Sequence, residues 1–303
     1  MARIVLLDGG MGQELIRRSA EPPSPMWSAA VLEREPGLVE AAHRDFVAAG
    51  ARVVTLASYS ATPERLARHL PADEVDARFE ALQRAAIRVA RAAVADAPHP
   101  IAIAGCLPPL GGSYHPESGP DFEAALATYA RIVALQGEAC ELMLAETMSS
   151  VGEARAATRA IRAAGHRAWV AFSVDDADGT RLRSGEALAE GVDAAVGEGA
   201  EALLLNCSRP EAIADGLGTL AGAGLPHGAY ANGFTDAAEL PIGGTVAGMG
   251  VRTDLDPETY AAHAMGWIGR GSTIVGGCCE VGPAHIARLC AAIEAAGDEI
   301  VAP

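Results

Sequence analysis

Eight times along its 303 residues the chain passes from a short apolar run to a longer, alanine-rich amphipathic segment, and this alternation limits the fold more than any other feature. Strands that recur between helices pair in parallel and bury both faces, which suits their unbroken apolar character. They are expected at Ile4–Leu7, Val53–Ala57, Ile101–Ala104, Leu142–Ala145, Ala168–Phe172, Ala202–Leu205, Gly228–Ala231 and Thr273–Gly276. Helices are expected at Gly37–Ala49, Asp73–Ala95, Asp121–Glu138, Ser150–Ala164, Gly185–Gly197, Pro210–Ala221, Pro257–Gly269 and Pro283–Ala296; several open on Pro, Ser or Asp, and glycines such as Gly50, Gly165, Gly271 and Gly297 stop them. Eight such units fit an α/β protein of the (β/α)8, or TIM-barrel, class, whose usual size is about 250 residues before insertions. A doubly wound open sheet is the alternative. No linker or low-complexity tract breaks the series, so a single domain over residues 1–303 is expected.

The connections are uneven. Helix-to-strand links are short, whereas three strand-to-helix stretches are long: residues 8–36, 105–120 and 232–256. Long loops in a compact domain are usually functional, and all three fall at the carboxyl ends of the strands, where barrel enzymes place their chemistry. Residues at those ends converge whatever their separation in sequence. They are Asp8-Gly9-Gly10, Ser58-Tyr59, Gly105-Cys106, Glu146-Thr147, Ser173, Asn206-Cys207, Asn232 and Gly277-Cys278-Cys279.

Six cysteines are too few and too irregular for a disulfide framework in a chain this long, so thiols or metal ligands in a reducing compartment are expected. Cys207 and the Cys278-Cys279 pair top the sixth and eighth strands, close enough in a barrel to share one ion. Soft sulfur ligands select zinc, copper(I) or an iron–sulfur cluster, and three protein ligands leave a fourth position for a substrate. Adjacent cysteines are not the usual two-residue-gap zinc pair, so spacing alone leaves buried free thiols and a vicinal disulfide open. Cys140 and Cys290 fall in helix patterns, as small buried hydrophobes would.

All 23 basic residues are arginine. Without lysine there is no Schiff-base aldolase, no lysine-anchored pyridoxal phosphate and no Walker-type phosphate loop. The net charge of −16 argues against a nucleic-acid partner, because a polyanion is repelled by an acidic surface. The apolar run before Asp8 is too short for a signal peptide or a membrane span, and a cytoplasmic protein acting on small molecules is expected. Nothing in the sequence decides between a monomer and a homo-oligomer.

Six stretches carry a family resemblance: LLDGGMGQEL at 6–15, the segment from Met26 to Ala51 beginning MWSAAV, TLASYSATPERL at 55–66, AET at 145–147, LLLNCSRP at 203–210 and IVGGCCEVGPAHI at 274–286. In these the chain resembles the homocysteine S-methyltransferases, zinc-dependent thiol methyltransferases with betaine- and S-methylmethionine-dependent members. The match runs nearly end to end. It implies that Cys207, Cys278 and Cys279 hold zinc, and that Asp8, the Gly9-Gly10 backbone and Glu146, with Asn206 beside the cysteine, bind the amino-acid end of homocysteine. Two carboxylates at strand ends suit an ammonium group, and glycines let a backbone approach a ligand closely. The implied reaction is methyl transfer from a small sulfonium or ammonium donor, S-methylmethionine or S-adenosylmethionine before betaine, to the homocysteine thiol, giving methionine.

Trp27 and Tyr59 match aromatic positions that contact the donor in betaine-using members, where a ring face attracts a cation; Asn232, topping the seventh strand, joins them as a donor-side candidate. The segments GCLPPLGGSYHPE (105–117) and YANGFTD (230–236) depart from the better-known family pattern on the presumed donor side, and His115 is expected as an exposed loop residue. Two alternatives stand beside this expectation: methylation of another thiol or selenol, such as selenocysteine, and a non-catalytic zinc or thiol-redox protein.

Overall fold

The computed structural model describes residues 1–22, 24, 26 and 28–303. Its strands are β1 (Arg3–Leu6), β2 (Val53–Thr55), β3 (Ala102–Leu107), β4 (Leu142–Met148), β5 (Ala168–Phe172), β6 (Ala202–Asn206), β7 (His227–Tyr230), β8 (Ile274–Val275) and β9 (Glu299–Ile300). The helices are α1 (Met11–Arg18), α2 (Ser28–Arg34), α3 (Pro36–Ala48), α4 (Pro63–Leu66), α5 (Ala72–Val94), α6 (Phe122–Gln136), α7 (Val151–Ala163), α8 (Leu188–Gly197), α9 (Pro210–Gly222), α10 (Pro257–Ile268) and α11 (Pro283–Ala295). β2 through β8 pair in order and in parallel, and β8 pairs with β1. The ring closes where the Asp8 amide donates to the Val53 carbonyl (3.0 Å) and the Arg52 amide to that of Leu6 (2.7 Å), bridging Leu7 and Val53. The expected TIM barrel is the observed fold.

Alternation along each strand divides the core in two. Val5, Leu7, Ala102, Ala104, Leu142, Leu144, Trp169, Ala171, Ala202, Leu204 and Ile274 fill the barrel interior. Their neighbours Ile4, Leu6, Ile103, Met143, Val170, Leu203 and Leu205 pack outward under the helices. Inward positions recur every second residue, so the one that follows Leu142 and Leu144 is Glu146, at the mouth.

Several expectations need correction. The stretch 8–36 is not an open loop: α1 and α2 lie in it, because MGQELIRR buries Gln13 and Leu15 on one face while Arg17 and Arg18 pair outward with Glu14. β3 runs through Leu107 and β4 through Met148, so Cys106, Glu146 and Thr147 belong to strands instead of following them. The helix expected from Gly185 starts at Leu188, since residues 174–187 form a tight antiparallel turn joined by the bridges Val174–Leu182 and Arg181–Ala187. Cys140 closes a 3-10 turn (Gly137–Ala139) after α6 and is only half-buried. β9 pairs with the start of β1, Arg3 facing Glu299. Among the described residues no helix is long and apolar enough to cross a membrane.

His43, in α3, is fully buried, and among the described residues neither ring nitrogen has a hydrogen-bond partner. Burial lowers its pKa from 6.5 to about 4. The unfolded chain therefore binds the extra proton first as pH falls, and this residue's contribution, complete above about pH 6.5, is lost on the way down to about pH 4. The difference is on the order of 3 kcal/mol. His43→Leu is expected to flatten that part of the stability profile, measured as urea midpoints of both proteins between pH 7 and pH 4.5.

Candidate active site

One cavity opens at the carboxyl ends of the strands. Its walls bring together Asp8, Gly9, Gly10, Tyr59, Glu146, Cys207, Cys278 and Cys279, eight of the residues singled out from sequence. Trp27 lies outside the described residues. Asn206 and Asn232 do not line the cavity. Asn206 is a brace: its Oδ1 accepts from the Thr147 amide (2.9 Å) and its Nδ2 donates to Thr147 Oγ1 (3.0 Å), fixing the end of β4 beside Glu146. Asn232 is fully buried and accepts from the Phe234 amide (3.2 Å).

The sulfur of Cys207 lies 2.8 Å from that of Cys278 and 3.8 Å from that of Cys279, and the Cys278 and Cys279 sulfurs are 4.0 Å apart. No disulfide joins them. With zinc–sulfur bonds of about 2.3 Å, tetrahedral ligands sit roughly 3.8 Å apart, so two of the three separations match a shared ion as they stand. Three soft donors on one cavity wall fit zinc. Burial works against a thiolate at Cys207, but hydrogen bonds from Cys278, Cys279 and Tyr114 and the charge of Arg183 outweigh it and hold this thiol well below its usual range. Hydrogen bonding to Cys207 in turn pushes Cys278 and Cys279 up.

Two buried carboxyl groups line the same cavity. Asp8 Oδ2 accepts from the Thr55 amide (2.9 Å) and Oδ1 from Thr55 Oγ1 (3.3 Å). Glu146 Oε1 accepts from Cys106 Sγ (3.0 Å). Burial raises Asp8 to about 8, with the charge of Glu146 adding to the effect, and burial raises Glu146 to about 7. Two acids that resist ionisation in one pocket favour their charged forms only when a positive group lies beside them.

Gly9 and Gly10 are needed for packing as well as for access. A Cβ on Gly9 would meet the Val281 carbonyl oxygen at 2.2 Å, and one on Gly10 that of Cys278 at 2.4 Å. The first loop therefore lies directly against the cysteine loop, coupling the carboxylate wall to the sulfur wall.

Sequence reasoning passed over Tyr114, Tyr230 and Arg183. Tyr114 and Tyr230 line the cavity with Tyr59. Tyr59 bonds Ser113 (2.9 Å), and the Arg65 guanidinium covers one face of its ring at 5.1 Å. His115, expected as a free loop residue, instead joins two long loops: one ring nitrogen meets Glu117 (3.0 Å) and the other the Leu240 carbonyl (2.8 Å). Beneath that latch, Tyr114, Phe234, Ala237, Leu240 and Val246 pack over Cys207. The non-glycine residues with left-handed backbone, Tyr114, Thr147, Cys207 and Glu280, all lie in or beside this mouth. Such strain gathers at functional sites and leaves little trace in sequence.

Comparison with known proteins agrees with this geometry. The family model for homocysteine S-methyltransferase matches residues 5–293. The chain belongs to the homocysteine S-methyltransferase family. It is 31% identical over 319 residues to the homocysteine S-methyltransferase of Escherichia coli K12, covering 94% of each chain. It is 28% identical to a selenocysteine methyltransferase of Astragalus bisulcatus, covering 93% of this chain and 90% of that one. The crystal structure of the homocysteine methyltransferase MmuM from Escherichia coli in its metallated form superposes with a TM-score of 0.79 at 29% identity, over 95% of this chain and 96% of the other. As a family member the chain is an enzyme of thiol methylation.

Proposed function

We propose that this protein, as a homocysteine-binding barrel over residues 1–303, transfers a methyl group from a small sulfonium donor to the thiol of L-homocysteine, with zinc held by Cys207, Cys278 and Cys279. The observation that carries the proposal is the presence of three clustered thiols and two buried carboxyl groups in the lining of one cavity. Homocysteine offers a thiol at one end and an ammonium group at the other. Bound by the three cysteines, zinc supplies a Lewis acid that keeps the acceptor's sulfur in its nucleophilic, deprotonated form. Asp8 and Glu146 bind the ammonium group and fix the acceptor's orientation. Thr55 and Cys106 hold those carboxylates in place. Tyr59, Tyr114 and Tyr230 present aromatic surface to a cationic donor, although Arg65 already occupies one face of Tyr59. No enzyme-bound methyl group is required, and none of the cavity residues needs to act as a general base. Methionine leaves as a neutral thioether, and the donor, having lost its methyl group, leaves as a second one.

The expected donor is S-methylmethionine or S-adenosylmethionine. The test is a panel in which zinc-loaded protein receives homocysteine with either of these or with betaine, scored by methionine formed. Product with a sulfonium and none with betaine supports the assignment; product with betaine alone overturns it. A second reading, methylation of selenocysteine, is favoured by the similarity to the Astragalus enzyme, and competition between the two acceptors at a fixed donor concentration decides between them. The free cysteines suit a reducing compartment, from which we infer a cytoplasmic enzyme of methionine synthesis.

A further inference from the structure

The loop after β3 delivers to the sulfur centre a hydroxyl that the reaction just described leaves without a role. Tyr114 is buried, and its hydroxyl lies 2.9 Å from Cys207 Sγ. When Cys207 serves as a metal ligand its sulfur is a thiolate with no proton to give, so the phenol is the donor. Its backbone is left-handed, with φ 67°, as is that of Cys207, with φ 50°. A side chain other than glycine takes that conformation only where the surroundings impose it.

Arg183 is the common support of both partners. Its guanidinium sits 4.8 Å from the centre of the Tyr114 ring, its Nη2 donates to the Cys207 carbonyl (3.3 Å) and to Asp176 (3.1 Å), and its Nε donates to Ser173 (2.7 Å). Only 5% of this side chain is exposed. A buried guanidinium, bonded through Nε and Nη2 and lying against the ring and the strand end, restrains both the phenol and the cysteine.

We propose that Tyr114 is a positioning residue of the sulfur centre: its hydroxyl, donated to Cys207 Sγ, fixes that sulfur in its ligating position and withdraws charge from it, with Arg183 holding both partners in register. The proposal rests on the metal-binding assignment of the preceding subsection. A ligand that gives up charge to a hydrogen bond binds less electron-richly, so the ion it shares polarises the remaining position more strongly. The same hydrogen bond makes the ligand sulfur a poorer competitor with the acceptor for the donor's methyl group.

Tyr114→Phe isolates the hydroxyl, because the ring stays on Arg183. The experiment uses the full chain loaded with cobalt(II) in place of zinc, and reads the thiolate-to-cobalt charge-transfer absorption. Loss of the hydrogen bond is expected to move that band to longer wavelength, and a chelator should remove the metal roughly 10-fold faster than from the unsubstituted protein. Far-ultraviolet circular dichroism should be unchanged. A band that does not move in the variant overturns the proposal, whatever the release rate. The absence of any thiolate-to-cobalt band in the unsubstituted chain would overturn the metal-binding assignment and this proposal together, so the two failures are distinguishable.

Discussion

Cys207→Ala is expected to abolish both metal retention and methionine formation while the barrel stays folded. The side chain occupies a strand end, above an interior filled by residues that the substitution does not touch. Two ligands remain, on adjacent positions of one loop, one short of the three-cysteine set that would hold the ion. A Lewis acid in such a site contributes several kcal/mol to the transition state, so turnover should fall on the order of 10³-fold or more. Metal content by plasma emission, circular dichroism and methionine yield check this on one preparation. A variant that is free of metal yet active would refute the assignment of the centre.

Asp8→Asn is expected to raise the KM for homocysteine about 100-fold with little change in kcat, and at the same time to stabilise the protein without ligand. The first effect follows from losing one half of a buried ionic pair with the acceptor's ammonium group, worth about 3 kcal/mol. The second has the opposite origin. Asp8 is raised from 3.8 to about 8, so between those values the folded chain binds a proton that the unfolded chain does not. Stability therefore increases as pH falls from about 8 toward 4, and at or above pH 8 the folded state bears the full cost of an ionised, buried carboxylate. Asparagine removes that cost. Thermal unfolding at pH 8.5 should show a higher midpoint for the variant, and the difference should shrink at pH 5. His43 acts in the reverse sense over the lower part of this range, so each contribution appears only in its own variant-minus-parent comparison.

The barrel was legible because burial on both faces leaves an unbroken apolar run for each strand, and Ala168–Phe172 is read with its exact bounds. β8 is harder, since only Ile274 and Val275 keep strand geometry before the glycines turn the chain toward the cysteines. β9 has no apolar signature, and its pairing with β1 depends on a contact nearly three hundred residues distant in sequence. In the site, the thiols and carboxyl groups were visible because a strand end is a location as well as a composition. Asn206, expected at the substrate, has its amide satisfied by Thr147 instead of lining the cavity, and a strand-end amide does not reveal in sequence which neighbour satisfies it. Tyr114 and Arg183 stayed hidden for another reason. Their positions depend on left-handed backbone and on a short antiparallel turn, and side chains give no periodic signal for either.

The small apolar cluster over Cys207 has a consequence for the direction in which charge moves. A thiolate and a sulfonium ion are each strongly hydrated, and two neutral thioethers are not; methyl transfer between the proposed partners annihilates both charges. Phe234, Leu240 and Val246 pack with Cys207, which is only 3% exposed, so bulk water has little access to the sulfur beside which the proposed charges would be lost. In the proposed reaction, solvation that would otherwise be surrendered at the transition state would already be reduced on entry, so the loops joined by His115 and Leu240 would make neutralisation the easy direction.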